Sequence, residues 1–330
     1  MQPLYKKINL CNRAKYIAAL VIVNGHLFLF GSDYKEMAQF LNLGACCVTF
    51  FFFISAYGLL TSYQNKSNDY LKSFCKKRII KLIVPLITAY LFTLPIYNLL
   101  IGPIDWQKVF LTILWGGPYL QYSWYVSEII IVYLLFFLVT KWKGTSSNHV
   151  VYLSFSILLL MAILIFTKQP LWYIVSLPGF IIGLWYQKYE ITIITFFKGK
   201  HHYIYLFILP LLWIIFWQWS STGGLLLYQY RYEYIAKYLS NIFFITFVIP
   251  LLLKLKGFNS TPPNFYITNS FYEVYLIQNC CMILASYYKL DFSIYWFLTM
   301  CLVVAIGYVL YFFNTLISSK ISISSLYRNL

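Results

Sequence analysis

Lys15 and His26 stand eleven positions apart in the stretch RAKYIAALVIVNGHLFLF, which runs from Arg13 to Phe30. At about 3.6 residues per turn, that separation is close to three whole turns, so a helix carries both side chains on one stripe. The rise sets the imidazole about 16 Å along the axis from the ammonium. The stretch is apolar and long enough for most of a membrane span. A cation at one membrane face with a titratable base near the middle is costly in lipid. Ionisable groups at that depth face a bundle interior or a wet cavity and mark function by default. An imidazole ordinarily titrates near physiological pH, so its neutral form can take a proton from a hydroxyl, which makes His26 a candidate general base. A hydrogen-bonded interhelical histidine is the plainer reading. His26 is the one histidine expected well inside a span; His149, His201 and His202 fall at loops or helix ends.

A second cluster, Lys76-Lys77-Arg78-Ile79-Ile80-Lys81, runs into Val84-Pro85. Arg78 and Lys81 are three apart at an expected helix start, a spacing that shares a face and suits a joint grip on phosphates. With Arg13 and Lys15 they would form a basic mouth below His26, fit for a polyanionic nucleotide such as coenzyme A. The same cations also serve as a topology signal. In FFFISAYGLL, Phe51 to Leu60, the small residues Ser55, Ala56 and Gly58 admit a close-packed helix or a ligand tail. YSWYVSE places Glu128 about a turn inside a span, where a carboxylate needs a partner or a proton. It would orient His26 or an acceptor hydroxyl, or act as a structural hydrogen-bonder. Trp124 fits an interfacial anchor and a site residue equally. NSFYEVYLIQN puts Glu273 about a turn into a later span, with Gln278 and Asn279 deeper. Pro178-Gly179 with Gly183 marks a helix that bends or packs closely.

The elements that must position these residues follow from composition. Of 330 residues 61% are apolar and 10% charged, against about a quarter charged in a soluble domain; the mean hydropathy is +0.71. The chain reads as an all-α, polytopic integral membrane protein. Ten spans of roughly the 20 residues a bilayer needs are expected near 14–31, 43–62, 82–101, 122–140, 149–167, 171–187, 203–218, 235–253, 269–287 and 293–317. A tight hairpin at Gln169-Pro170 joins the fifth and sixth. The longest loops, around 63–81, 102–121 and 219–234, are too short for a core of their own. Residues 1–330 therefore read as a single membrane domain without a soluble one.

Most of the 25 Lys and Arg fall at the N-terminus, in alternate loops and at the C-terminus. They include Lys6, Lys7, Arg13, Lys15, the Lys66 to Lys81 group, Lys200, Lys256 and Arg328. Asp33, Glu36, Asp105, Glu233 and Asp291 gather on the other side, which has fewer cations such as Lys35. The positive-inside rule then makes both termini cytoplasmic. The net charge of +16 reads as topology and contact with anionic membrane lipids, not nucleic acid. The seven cysteines show no zinc-ligand spacing or disulfide framework; they read as small packing residues, and no metal is expected.

Together these stretches resemble the acyltransferase 3 family of polytopic membrane acyltransferases over nearly the whole chain. That family has a basic residue about ten positions short of a histidine in its first span, similar to Lys15 and His26, with Lys for the usual Arg. Its phenylalanine-rich segment ending in Ser-Gly-Phe is similar to Phe51 through Ser55-Ala56-Tyr57. Its Arg-x-x-Arg resembles Arg78-Ile79-Ile80-Lys81, and its Trp segment followed by an acid resembles Ser123-Trp124-Tyr125-Val126-Ser127-Glu128. Its Ser-x-x-x-Tyr-Leu motif resembles Ser270 to Leu276, with Gln278 where many members have His.

The resemblance implies transfer of an acyl group, most often acetyl, from cytoplasmic acetyl-CoA to a hydroxyl of a polysaccharide or lipid-linked glycan. It implies a multi-pass protein of the bacterial plasma membrane. His26 and Glu128 would be catalytic. Arg13, Lys15, Ser55, Arg78 and Lys81 would bind the donor, and Tyr57, Trp124, Tyr275 and Gln278 would line a substrate tunnel. An oligosaccharide flippase or transporter and a membrane polysaccharide polymerase are the rival classes. Repeat symmetry or paired broken helices would mark the first, and large outer loops the second; the sequence shows neither.

Overall fold

The computed structural model describes residues 8–30, 43–113, 116–144, 146, 148–199, 202–221, 231–254 and 266–326. Lys6, Lys7, Asp33, Lys35, Glu36, Lys200, His201, Lys256 and Arg328 lie outside the described residues. Among those described, regular structure is helical throughout and no strand occurs. In chain order the helices are α1 (Ile8–Phe30), α2 (Gly44–Lys72), α3 (Ile80–Leu100), α4 (Trp106–Thr112), α5 (Trp124–Lys143), α6 (His149–Phe166), α7 (Pro178–Lys188), α8 (Glu190–Lys198), α9 (His202–Ser221), α10 (Arg231–Lys254), α11 (Phe271–Ser286) and α12 (Phe292–Leu326).

Helix occurs within the expected spans, but 171–187 opens with a 3-10 turn at Leu171–Tyr173 and its α-helix, Pro178–Lys188, has only 11 residues. Six stretches are long and apolar enough to cross a membrane: Gly44–Ser67, Cys75–Leu100, Gln121–Lys143, His149–Phe166, Ile235–Lys254 and Phe292–Lys320. Their outer faces are apolar: only 28% of the α6 window and 22% of the α12 window is buried, leaving Phe155, Ile163, Phe297 and Phe312 exposed. A soluble protein does not present long helices this apolar on their open faces. The chain is an all-α polytopic membrane protein.

The chain forms two compact units, Met1–Lys72 with Leu134–Asn264, and Ser73–Tyr133 with Phe265–Leu330. In the first, α2 is the hub and packs against α1, α7 and α10. Its run Phe50 to Phe53 is buried whole, as an all-round apolar helix must be when neighbours surround it. The close approach of α7 depends on glycine. A Cβ at Gly179 would run into the Thr49 carbonyl, and one at Gly183 into the Phe53 carbonyl. Pro178 stands at the first position of α7, where its missing N–H costs nothing, so the Pro-Gly-Gly signature means close packing rather than a bend. Asn241 on α10 ties the hub in: its Nδ2 donates to the Val175 carbonyl at 2.9 Å, and Cys46 Sγ donates to its Oδ1 at 3.2 Å. Trp185 Nε1 donates to Ser154 Oγ at 3.0 Å, joining α7 to α6.

In the second unit the hub is α11, packed between α3 and α12, with every residue from Glu273 to Met282 buried. Gly307 lets α12 approach Val274. Thr88 Oγ1 donates to Asn314 Oδ1 at 2.8 Å, and Asn314 Nδ2 donates to Glu273 Oε1 at 3.0 Å, a relay across three helices. Such interhelical bonds are the glue of membrane bundles, where apolar contact alone discriminates poorly.

Two loop expectations are corrected. The segment 63–81 is not a loop: α2 continues to Lys72 through a kink at Ser67 (φ 45°), and a π-helical turn occupies Cys75–Ile79. Tyr63 and Tyr70, on either side of that kink, are both buried and anchor helix where Asn65-Lys66-Ser67-Asn68-Asp69 reads as turn. Segment 102–121 contains α4, whose N-cap Asp105 accepts from the Lys108 N–H at 3.1 Å. Of the seven cysteines, five are buried and all are free; Cys75 and Cys301 are exposed.

Candidate functional site

In the first unit, α1 is a single unbroken helix through Arg13, Lys15 and His26. Ala19, Ile22, Val23 and Leu27 are its fully buried residues, spaced as one packing stripe. Lys15, Ala19, Ile22 and His26 follow at steps of four, three and four, so both ionisable groups lie on the edge of that stripe. Both are half-buried, as is Arg13. The stripe packs towards α2, which carries Ser55, half-buried, and Tyr57, buried.

The two departures of Ser55-Ala56-Tyr57 from Ser-Gly-Phe are each compensated by the α7–α8 region. Ala56 adds a methyl, and Gly183 is the residue with no side chain opposite it. Tyr57 adds a hydroxyl, and it donates to both carboxylate oxygens of Glu190 at 2.9 and 3.0 Å. In the sequence Glu190 looks like a loop acid at the end of a span and gives no sign of this role. The available signal was the phenol itself, because a buried tyrosine hydroxyl needs a partner. The ring of Tyr186 lies 5.8 Å from that of Tyr57 and 5.4 Å from that of Phe53.

In the second unit, Arg78 sits in the π-helical turn, half-buried, and Lys81 is exposed in the first turn of α3. The expected plain helix start is therefore a wider turn. Gln121–Ser123 forms a 3-10 turn that feeds α5. Trp124 and Tyr275 both meet Tyr125, with ring centroids 6.4 and 5.5 Å apart. The Tyr275 hydroxyl donates to the Tyr122 carbonyl at 2.9 Å, and Gln278 Nε2 donates to the Tyr275 carbonyl at 2.8 Å. Glu128 is 2% exposed, and neither of its carboxylate oxygens has a hydrogen-bond partner among the described residues. His26 thus belongs to the first unit and Glu128 to the second.

No group of three or more His, Cys, Asp and Glu able to hold a metal ion occurs among the described residues. What the helices hold is ionisable: the half-buried Lys15 and His26, the buried His149, which is hydrogen-bonded to Thr140, and three buried glutamates, the profile of a membrane-embedded enzyme or transporter. A family model described as an acyltransferase domain, acyltransferase 3, matches residues 12–312. The chain belongs to that family and is an acyl-transferring membrane enzyme. No curated protein and no solved structure matches it.

Proposed function

We propose that the protein is an O-acetyltransferase of the bacterial cell membrane, moving acetyl from cytoplasmic acetyl-CoA to a hydroxyl of a cell-surface polysaccharide or its lipid-linked precursor. The observation that carries this reading is the Lys15-Ala19-Ile22-His26 stripe on α1 in a chain of the acyltransferase 3 family. The family resemblance assigns donor phosphates to Arg13 and Lys15 in the first unit and to Arg78 and Lys81 in the second. The pantetheine arm runs towards His26 past Ser55. The resemblance assigns substrate contacts to Tyr57 in the first unit and to Trp124, Tyr275 and Gln278 in the second.

His26 takes the proton of the acceptor hydroxyl as its oxygen attacks the thioester carbonyl. The tetrahedral intermediate collapses, the carbon–sulfur bond breaks, and the thiolate of coenzyme A leaves and receives the proton back from the imidazolium. Glu128 works on the acceptor side. General-base catalysis contributes about 10²–10⁴-fold to such a step.

The test is glycan NMR on a deletion strain complemented with the wild-type or His26→Ala gene. Acetyl signals are expected to vanish on deletion and return with wild type alone. Full restoration by His26→Ala would make the histidine structural. Intact acetylation with depleted exported polymer would replace the transferase by a transporter.

A further inference from the structure

Among the described residues nine buried side-chain oxygen and nitrogen atoms lack a hydrogen-bond partner, and six of them lie in two short stretches of the second unit. They are Tyr90 Oη and Thr93 Oγ1 on α3, Ser123 Oγ on the 3-10 turn, and Ser127 Oγ and both Glu128 oxygens on α5. Tyr90 and Thr93 share the buried stripe of α3 with Leu86, Ala89 and Leu94, and a spacing of three puts them on one side. The Tyr90 phenol approaches the Ser123 hydroxyl, and Thr93 on the same helix approaches the Cys280 thiol of α11, neither reaching hydrogen-bond geometry, so the two stretches adjoin. Ser127 follows Ser123 by four residues, about one helical turn. All five residues are at most 4% exposed.

The unit does not leave buried polar groups bare as a habit. Glu273, Tyr275, Gln278 and Asn279 on α11 all make hydrogen bonds. An orphaned buried hydroxyl costs more than its apolar isostere, and packing alone would favour Phe, Val and Ala at these positions. The orphans are therefore hydrogen-bonding capacity held for something else.

Their chemistry selects the occupant. Four hydroxyls donate and accept, and a carboxyl buried with no cation or donor beside it keeps its proton and does the same; no Lys or Arg is buried among the described residues. A phosphate would find no cation among these groups to balance its charge. A neutral polyol matches every group. We infer that Tyr90, Thr93, Ser123, Ser127 and Glu128 form the binding site for a sugar unit of the acceptor. The identity of that sugar as an acceptor rests on the acetyl-transfer reading above.

The test uses the full chain in phospholipid nanodiscs, with octyl-β-D-glucoside below its micellar concentration as the sugar probe and octyl tetraethylene glycol as the chain-matched control. The glucoside is expected to raise the unfolding midpoint and the control is not. Thr93→Val, Tyr90→Phe and Ser127→Ala remove hydroxyls at nearly constant volume. Each is expected to melt no lower than wild type without probe, to weaken glucoside binding about tenfold, and to leave coenzyme A binding unchanged. Thr93→Ser, which keeps the hydroxyl, is expected to bind as wild type. An equal response to both amphiphiles, or wild-type glucoside affinity in all three variants, would overturn the site and leave the hydroxyls as holders of water. If the variants lose the glucoside while wild type neither binds coenzyme A nor acetylates the probe, the sugar site stands and the transferase reading fails. If transfer proceeds equally in wild type and variants, the transferase stands and this site fails.

Discussion

Glu128 and Glu273 are buried to nearly the same degree in the same unit, 2% and 5% exposed, yet the protein treats them oppositely. Around Glu273 a relay from Thr88 through Asn314 supplies the carboxylate with a donor. Around Glu128 nothing described does so, and the nearby hydroxyls of Ser123 and Ser127 are unsatisfied too. In the first unit Glu190 resembles Glu273: Tyr57 donates to both of its oxygens. Burial alone does not distinguish the two acids; their hydrogen bonds do, and a scaffold that places Asn314 against Glu273 but nothing described against Glu128 is what supports the role proposed for Glu128.

Removing each carboxylate tests that division. Glu128→Gln is expected to have the largest effect on activity, a fall of about 10²-fold or more in acetyl transfer. Its thermal midpoint should be unchanged or higher, since an unpaired buried acid is lost. Transfer assays on reconstituted protein check this, and a wild-type rate with lowered stability would put Glu128 in the scaffold. Glu273→Ala should do the reverse. It leaves Asn314 Nδ2 without its acceptor, costs about 1–3 kcal/mol of stability, and leaves the rate per folded molecule near wild type. Glu273→Gln retains an acceptor oxygen and should recover most of the loss.

The Tyr57–Glu190 pair tests whether a structural acid can be dispensed with altogether. Tyr57→Phe restores the residue that the family carries at this place but strips two hydrogen bonds from a buried carboxylate, for about 1–3 kcal/mol. The double change Tyr57→Phe with Glu190→Met removes both partners of this bond and should recover most of that, as replacement of both buried partners by apolar groups generally does. Thermal melts of the three variants decide it. Non-recovery would show that Glu190 serves something besides Tyr57.

How much of this was legible beforehand depended on the range of the interaction. The α1 stripe follows from helical period alone, so Lys15 and His26 could be placed from their spacing. At Gly179 and Gly183 the sequence leaves a bend and close packing both open, and only the Thr49 and Phe53 carbonyls against them decide for packing. The link from Tyr57 to Glu190 was not legible, since 133 residues separate the partners and no local pattern encodes their meeting. The helix through Ser67 was hidden by a polar run that outweighs, in any local reading, two tyrosines whose burial depends on their neighbours. Tyr90 and Thr93 look like ordinary residues of an apolar span; only the structure reveals that they are buried without partners.

Asp105 completes the series as the exposed carboxylate, and it should give the smallest effect. It caps α4, and the Lys108 N–H foremost, with the Lys108 ammonium at 3.3 Å, holds its carboxyl below the usual range. A carboxylate whose folded pKa is depressed contributes stability above its unfolded value, about 3.9, and loses it as pH falls through the lower folded value. Amide hydrogen exchange over α4 should therefore be pH-independent in this respect near neutrality and show added fraying below about pH 4. Asp105→Asn keeps the cap and should abolish that acid response. Asp105→Ala should fray α4 at every pH while leaving the global melt and acetyl transfer untouched. A global shift in Asp105→Ala would mean that α4 is part of the cooperative core, and that partner count and burial must be weighed together before any carboxylate in this protein is set aside as peripheral.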